Sequence, residues 1–186
     1  MVAIGGSAGS LEIVLDIVRS IAPDSLDVFI IILHRKNDNE SILGDLLSHN
    51  TKLRVYEVED KDIIQPGSIY IAPGDYHLLV ENDGSSFSLD SSEKVHYSRP
   101  SINVSFQSVA EVFGRRVLGV LLSGANADGS AGLLAIKEAG GHTIIQDPAT
   151  ADVSFMPQQA INMNAGVDIV HGELISKAVN EFLISL

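Results

Sequence analysis

A serine at the apex of Gly5-Gly6-Ser7-Ala8-Gly9 has the setting that most directly suggests chemistry. The stretch fits G-x-S-x-G, a turn that lifts a hydroxyl clear of its backbone and aims it at the start of a helix. An apolar run ends at this turn, and an amphipathic segment from Leu11 to Ile21 follows at once. Glycines suit such a turn because it needs positive φ or a close approach of backbone. A serine hydroxyl is a weak nucleophile and needs a base to take its proton. Imidazole can do this near neutral pH, and a carboxylate on its other nitrogen fixes the tautomer and stabilises the imidazolium. His34 follows the apolar run 28–33, and Asp128 lies in the loop Ser123-Gly124-Ala125-Asn126-Ala127-Asp128-Gly129 that follows the run 117–122. Both stand where a base and an orienting acid are needed. Backbone N–H groups at the Ser7 turn could hold the developing oxyanion.

The same residues have other readings. Ser7 could cap the helix after it, with Ser10 as a rival cap. Asp128 could cap the following helix, which would leave Asp147 or Asp152 as the third member. His49, His77, His96, His142 and His171 show no metal-ligand spacing and receive no catalytic role. The Gly-rich turn could instead cradle a phosphate, as in dinucleotide-binding folds. Gly-Gly-Ser-Ala-Gly-Ser does not reproduce G-x-G-x-x-G, although Arg35 after the second apolar run would suit a 2′-phosphate. A third alternative is a non-catalytic scaffold that binds a receptor or another partner.

To bring Ser7, His34 and Asp128 together, three strand ends must lie side by side. Apolar runs at 1–5, 28–33, 53–58, 117–122, 142–146 and 167–170 read as strands. Helical patterns at 10–21, 40–49, 101–113, 130–139, 157–164 and 173–185 alternate with them. The run Val-Phe-Ile-Ile-Ile-Leu at 28–33 is what a strand covered on both faces requires. Repeated βα units of this kind predict an α/β fold, a doubly wound and mostly parallel sheet with helices on both faces. A strand order beginning 3-2-1-4 would make the three ends neighbours, at the edge where such sheets bind ligands. Between 67 and 90 the texture changes. Runs at 68–72, 77–80 and 87–89 are separated by Pro73-Gly74-Asp75 and Asn82-Asp83-Gly84, which predicts a small antiparallel hairpin insertion.

The 186 residues are expected to form a single domain, 1–186, and a 45% hydrophobic content with a mean hydropathy of +0.22 argues for a substantial core. No apolar run approaches the roughly 20 residues that span a bilayer, and the start lacks the basic region of a signal peptide. A cytoplasmic address and no membrane embedding follow as expectations. The absence of cysteine excludes disulfides, thiolate metal sites and a cysteine nucleophile. A net charge of −12 opposes a nucleic-acid partner. No metal or cofactor is implied.

Taken together, these segments resemble the catalytic domain of CheB-type chemotaxis methylesterases over nearly the whole chain. The resemblance is carried by AIGGSAGSLE (3–12), Ile32-Leu33-His34, Ile71-Ala72-Pro73-Gly74-Asp75-Tyr76-His77, Arg99-Pro100-Ser101 and the loop from Leu122 to Gly132. Gln146-Asp147-Pro148-Ala149-Thr150-Ala151, Met156-Pro157 and Ala160-Ile161 complete it. It implies a serine hydrolase that cleaves γ-glutamyl methyl esters on methylated helices of chemoreceptors, and that also deamidates glutamines. By motif position it implies Ser7 as nucleophile, His34 as base and Asp128, rather than Asp147, as the acid.

The chain departs from the family pattern at several places. Leu33-His34-Arg35-Lys36 stands where Gln-His-Met-Pro is frequent, Ala125 where the acidic loop usually has Met, Phe155 where Gly is common, and Ala8 where Thr is frequent. Ala8 and Ala125 would serve an oxyanion through backbone N–H groups. Arg35, Lys36, Phe155 and Met156 are expected at the substrate entrance. The family's usual receiver domain is not expected ahead of the first strand, so the chain is either stand-alone or part of a longer signalling protein.

Overall fold

A computed structural model describes residues 1–35, 42–164 and 166–184. Seven strands form one sheet: β1 (Val2–Gly6), β2 (Val28–Leu33), β3 (Arg54–Glu57), β4 (Ser68–Ile71), β7 (Leu118–Leu121), β8 (His142–Gln146) and β9 (Asp168–Val170). Their order is β3-β4-β2-β1-β7-β8-β9, and every neighbouring pair is parallel. From β1 the chain works outward on one side through β2, then returns to lay down β7, β8 and β9 on the other. The sheet is therefore doubly wound, with its switch of direction beside β1.

Strand periodicity sorts the core into two layers. Val2, Ile4, Phe29, Ile31, Leu33, Val120 and Leu122 pack with the apolar faces of α1 (Leu11–Ser20), α2 (Ile42–His49) and α6 (Ile175–Ile184). The alternate positions Ala3, Ile30, Ile32 and Leu121 face α3 (Ile102–Phe113), α4 (Ser130–Glu138) and α5 (Phe155–Met163). Two helical layers around one sheet explain why residues 29–33 are all buried. Each fully buried Ile or Leu of this kind contributes about 1.5–3 kcal/mol relative to exposure.

The hairpin is β5 (His77–Val80) paired antiparallel with β6 (Phe87–Asp90), and Asn82-Asp83-Gly84 forms its turn. One expectation is corrected here. Residues 68–71 do not belong to the antiparallel insertion; they form β4, inserted between β2 and β3 in the main sheet. All four are buried, so their local pattern is that of an interior parallel strand bordered by turn residues. The remaining strands and helices lie within a few residues of their expected positions. The expected start of the second helix at Glu40 and the expected end of the last at Ser185 fall outside the described residues.

Close packing brings α3 to the site. A Cβ on Gly5 would lie 2.4 Å from Ile102 Cγ2, so only glycine lets the first residue of α3 sit against the end of β1. Among the described residues, no helix is long and apolar enough to cross a membrane.

Candidate active site

Strand register sets the three residues side by side. Gly6 pairs with Leu33 on β2 and Gly5 with Leu121 on β7. The pairing continues past the strand ends: His34 N donates to Gly6 O at 3.3 Å, and Ser7 N donates to Ser123 O at 2.9 Å. Ser7 thus leaves the sheet between His34 on one side and the Ser123–Asp128 loop on the other.

Asp128 is fully buried. Its Oδ2 accepts from His34 Nε2 at 2.8 Å and from Ile102 N at 2.7 Å. Its Oδ1 accepts from Ser101 Oγ at 2.8 Å and from the backbone N–H groups of Asn103 and Gly129, each at 3.0 Å. Ser101 is the N-cap of α3, so the carboxylate lies on that helix's N-terminus, where unpaired N–H groups favour negative charge. Burial pushes the Asp128 pKa up, but the hydrogen bonds from His34, Asn103 N, Ile102 N and Ser101 outweigh it and hold the group below the ordinary carboxylate value. An ionised carboxylate only accepts, so Nε2 carries a proton in this bond, and whenever the ring is neutral its free lone pair is on Nδ1. The His34 side chain is 12% exposed.

The Ser7 turn is braced from below. Ser10, at the N-cap position of α1, donates its hydroxyl to Ser7 O at 2.7 Å and makes no capping bond to the helix. Ser123 Oγ donates to Ala8 O at 2.7 Å and accepts from Val153 N at 2.9 Å. Gly124 N donates to Val153 O, and Met156 N donates to Gly124 O. A Cβ on Gly124 would meet Met156 Cε at 2.5 Å and Ser7 Cβ at 3.1 Å, so this residue is wedged between the two. Ser7 Oγ makes no hydrogen bond to another described residue, and the backbone N–H groups of Ala8 and Ala125, both exposed residues, have no acceptor among them. A hydroxyl, an imidazole held by a buried carboxylate and two N–H groups without an acceptor among the described residues are the parts of acyl transfer.

The remaining candidates fall in different places. Phe155 is half-exposed at the first turn of α5. Met156 is corrected: it is fully buried, and its thioether packs beneath Gly124 rather than lining an opening. The Arg35 guanidinium is paired with Glu57 and donates through Nε to Ala72 O at 3.4 Å, on the β4–β3 side of His34. That engagement leaves the phosphate-cradle reading without its arginine. Lys36 lies outside the described residues. Asp147 caps the short turn Pro148–Thr150 through Ala149 N, while Asp152 lies against Gly9. Neither is bonded to His34.

Ser101, Ser123 and His77 receive no site role from the sequence, although Ser101 and His77 close two of the quoted segments. Ser101 could have been found as the polar residue that opens a strongly periodic helix. Ser123 and His77, both buried, carry no local signal, because their partners lie far away in the chain.

A parallel doubly wound sheet that holds a serine, a histidine and a buried aspartate at three neighbouring strand ends defines a serine hydrolase of α/β architecture. The chain belongs to the CheB methylesterase family, whose model matches residues 2–179. Relatives include a putative protein-glutamate methylesterase/protein-glutamine glutaminase of Leptospira interrogans, 37% identical over 91% of this chain and 86% of that one. Protein-glutamate methylesterase/protein-glutamine glutaminase 2 of Pseudomonas aeruginosa is 35% identical over 96% of this chain and 52% of its own. The Escherichia coli K12 protein of that activity is 34% identical over 95% and 51%. The chain thus spans about half the length of the last two. The crystal structure of the Thermotoga maritima CheB methylesterase catalytic domain superposes with a TM-score of 0.91 at 28% identity, covering 97% of each chain.

Proposed function

We propose that this chain hydrolyses γ-glutamyl methyl esters on methylated chemoreceptor helices, with Ser7 as nucleophile. The observation that carries the reading is the 2.8 Å bond from His34 Nε2 to buried Asp128 beside a serine whose hydroxyl bonds to no other described residue. Ser7 Oγ attacks the ester carbonyl while His34 Nδ1 takes its proton. The Ala8 and Ala125 N–H groups donate to the oxyanion of the tetrahedral intermediate. The intermediate collapses as the imidazolium protonates departing methanol. Water then attacks the glutamyl-enzyme, giving its proton to His34, and Ser7 leaves with that proton. Throughout, Asp128 stays ionised and balances the transient imidazolium. A glutamine amide enters the same sequence with ammonia as leaving group, which fits the second activity in the relatives' names.

Methanol released from receptor-bearing membranes tests the reading. Release is expected from membranes carrying methylated receptors and not from the same membranes after alkaline demethylation. Hydrolysis of small esters with no release from methylated receptors would overturn the substrate assignment.

A further inference from the structure

His77 is buried and titratable, yet the proposed reaction makes no direct use of it. It belongs to Ala72-Pro73-Gly74-Asp75-Tyr76-His77, a segment that the reaction leaves without a role. Its ring joins two remote pieces of chain. Nε2 meets Glu93 O at 3.0 Å, and Nδ1 accepts from Ser101 N at 3.1 Å. Carbonyl oxygen cannot donate and an amide N–H cannot accept, so the ring is neutral with its proton on Nε2. Ser101 is the residue whose hydroxyl donates to Asp128 Oδ1. The same hydroxyl accepts from Val104 N at 3.4 Å, so both of its directions are used.

The rest of the hairpin supports this connection. Ser105 Oγ donates to Leu78 O at 2.8 Å, and Val80 N donates to Ser108 Oγ at 2.7 Å. Ser101, Ser105 and Ser108 are thus bonded to β5 at His77, Leu78 and Val80. The last two bonds hold the body of the helix to the hairpin. The His77 bond fixes its N-cap residue, where Asp128 is held.

We propose that His77 is a positioning residue: by accepting from Ser101 N, it sets the Ser101 hydroxyl against Asp128 and so aligns the imidazole of His34. This rests on the assignment of Asp128 as the acid of the esterase. The hairpin inserted into the sheet fold thereby becomes a brace for the acid.

Two substitutions at this site separate the two bonds of the ring. His77→Asn places an amide oxygen where Nδ1 was and keeps the acceptor for Ser101. His77→Gln places its amide where Nε2 was and keeps the bond to Glu93. Both lose ring packing, so a merely structural role would lower stability alike. Methanol release from methylated receptor membranes is expected to keep kcat in His77→Asn within a few fold of the parent. In His77→Gln kcat should fall about ten- to a hundredfold with KM unchanged, since small misplacements of catalytic groups cost this much.

The low-field proton resonance of His34 Nε2–H on Asp128 gives a readout independent of turnover. It should persist in His77→Asn and be lost or broadened in His77→Gln. Should His77→Gln fail to fold, Ser101→Ala and Ser101→Thr take its place, with the resonance and kcat reduced in the first and restored in the second. Equal kcat and an intact resonance in both members of the pair would overturn the proposal while leaving the esterase standing. A parent chain that releases no methanol overturns the esterase reading instead.

Discussion

The two ends of the Ser7–His34–Asp128 group are built in opposite ways. Asp128 is fully buried and accepts five hydrogen bonds, three of them from backbone N–H groups. Ser7 sits on a turn whose backbone is braced by Ser10 and Ser123, while its own hydroxyl bonds to no other described residue. The contrast shows how the work is divided. The acid's charge and position are part of the folded core, and the nucleophile is held only by its backbone, so its hydroxyl can meet a substrate. His34 stands between the two, bonded to the acid through Nε2 and donating its backbone N–H to Gly6 O beside Ser7.

The comparison can be broken first by stability. Asp128→Ala strands Ser101 Oγ and the Ile102, Asn103 and Gly129 N–H groups in the interior, and should cost about 3–5 kcal/mol. Ser7→Ala removes an unbonded hydroxyl and should change stability by less than about 0.5 kcal/mol. Urea unfolding of both variants checks this, and equal losses would erase the distinction. The same experiment has a pH arm. Asp128 has its pKa lowered from 3.8 in the folded chain. Its contribution is therefore fully present above the unfolded value and is lost as pH falls through the lower folded value. Asp128→Asn should unfold with a flatter dependence on acid below about pH 4.

A smaller effect is expected between the two ends, at Gly124. A Cβ there overlaps Met156 and presses on Ser7, so Gly124→Ala should cost about 1–3 kcal/mol. Met156→Ala leaves a cavity of its own, but the double variant should lose less than the two single losses combined. Strict additivity would mean that Gly124 is not wedged as described. The smallest effect belongs to Phe155, half-exposed on α5. Phe155→Ala should leave stability within about 0.5 kcal/mol and raise KM for methylated receptors with kcat unchanged, as steady-state methanol release would show. A fall in kcat alone would move Phe155 from the entrance to the chemistry.

The open end of the group was easier to read from sequence than the buried end. Ser7 is marked by local features, since glycines, an apolar run and an amphipathic run are all contiguous. His34 and Asp128 were legible because each follows a buried strand, and such strand ends converge in a doubly wound sheet. What holds Asp128 was not legible. Ser101 lies 27 residues away and His77 is 24 residues from Ser101, and periodicity carries no information about a polar contact between distant segments. β4 was misplaced for a related reason. Its four residues are buried on both faces, a pattern compatible with either sheet, and the turn signals after it belong to the hairpin rather than to its pairing partners. The Met156-Pro157 motif suggests an entrance residue, whereas an apolar side chain next to a wedged glycine serves as filler under the site.

The central claim is that Ser7 attacks the ester with its proton taken by a histidine held on Asp128. Its most direct test is the rate of methanol release by Ser7→Ala on methylated receptor membranes. A folded variant slowed by about four powers of ten or more is the predicted result. Ser7→Ala turning over at the parent rate would contradict the account.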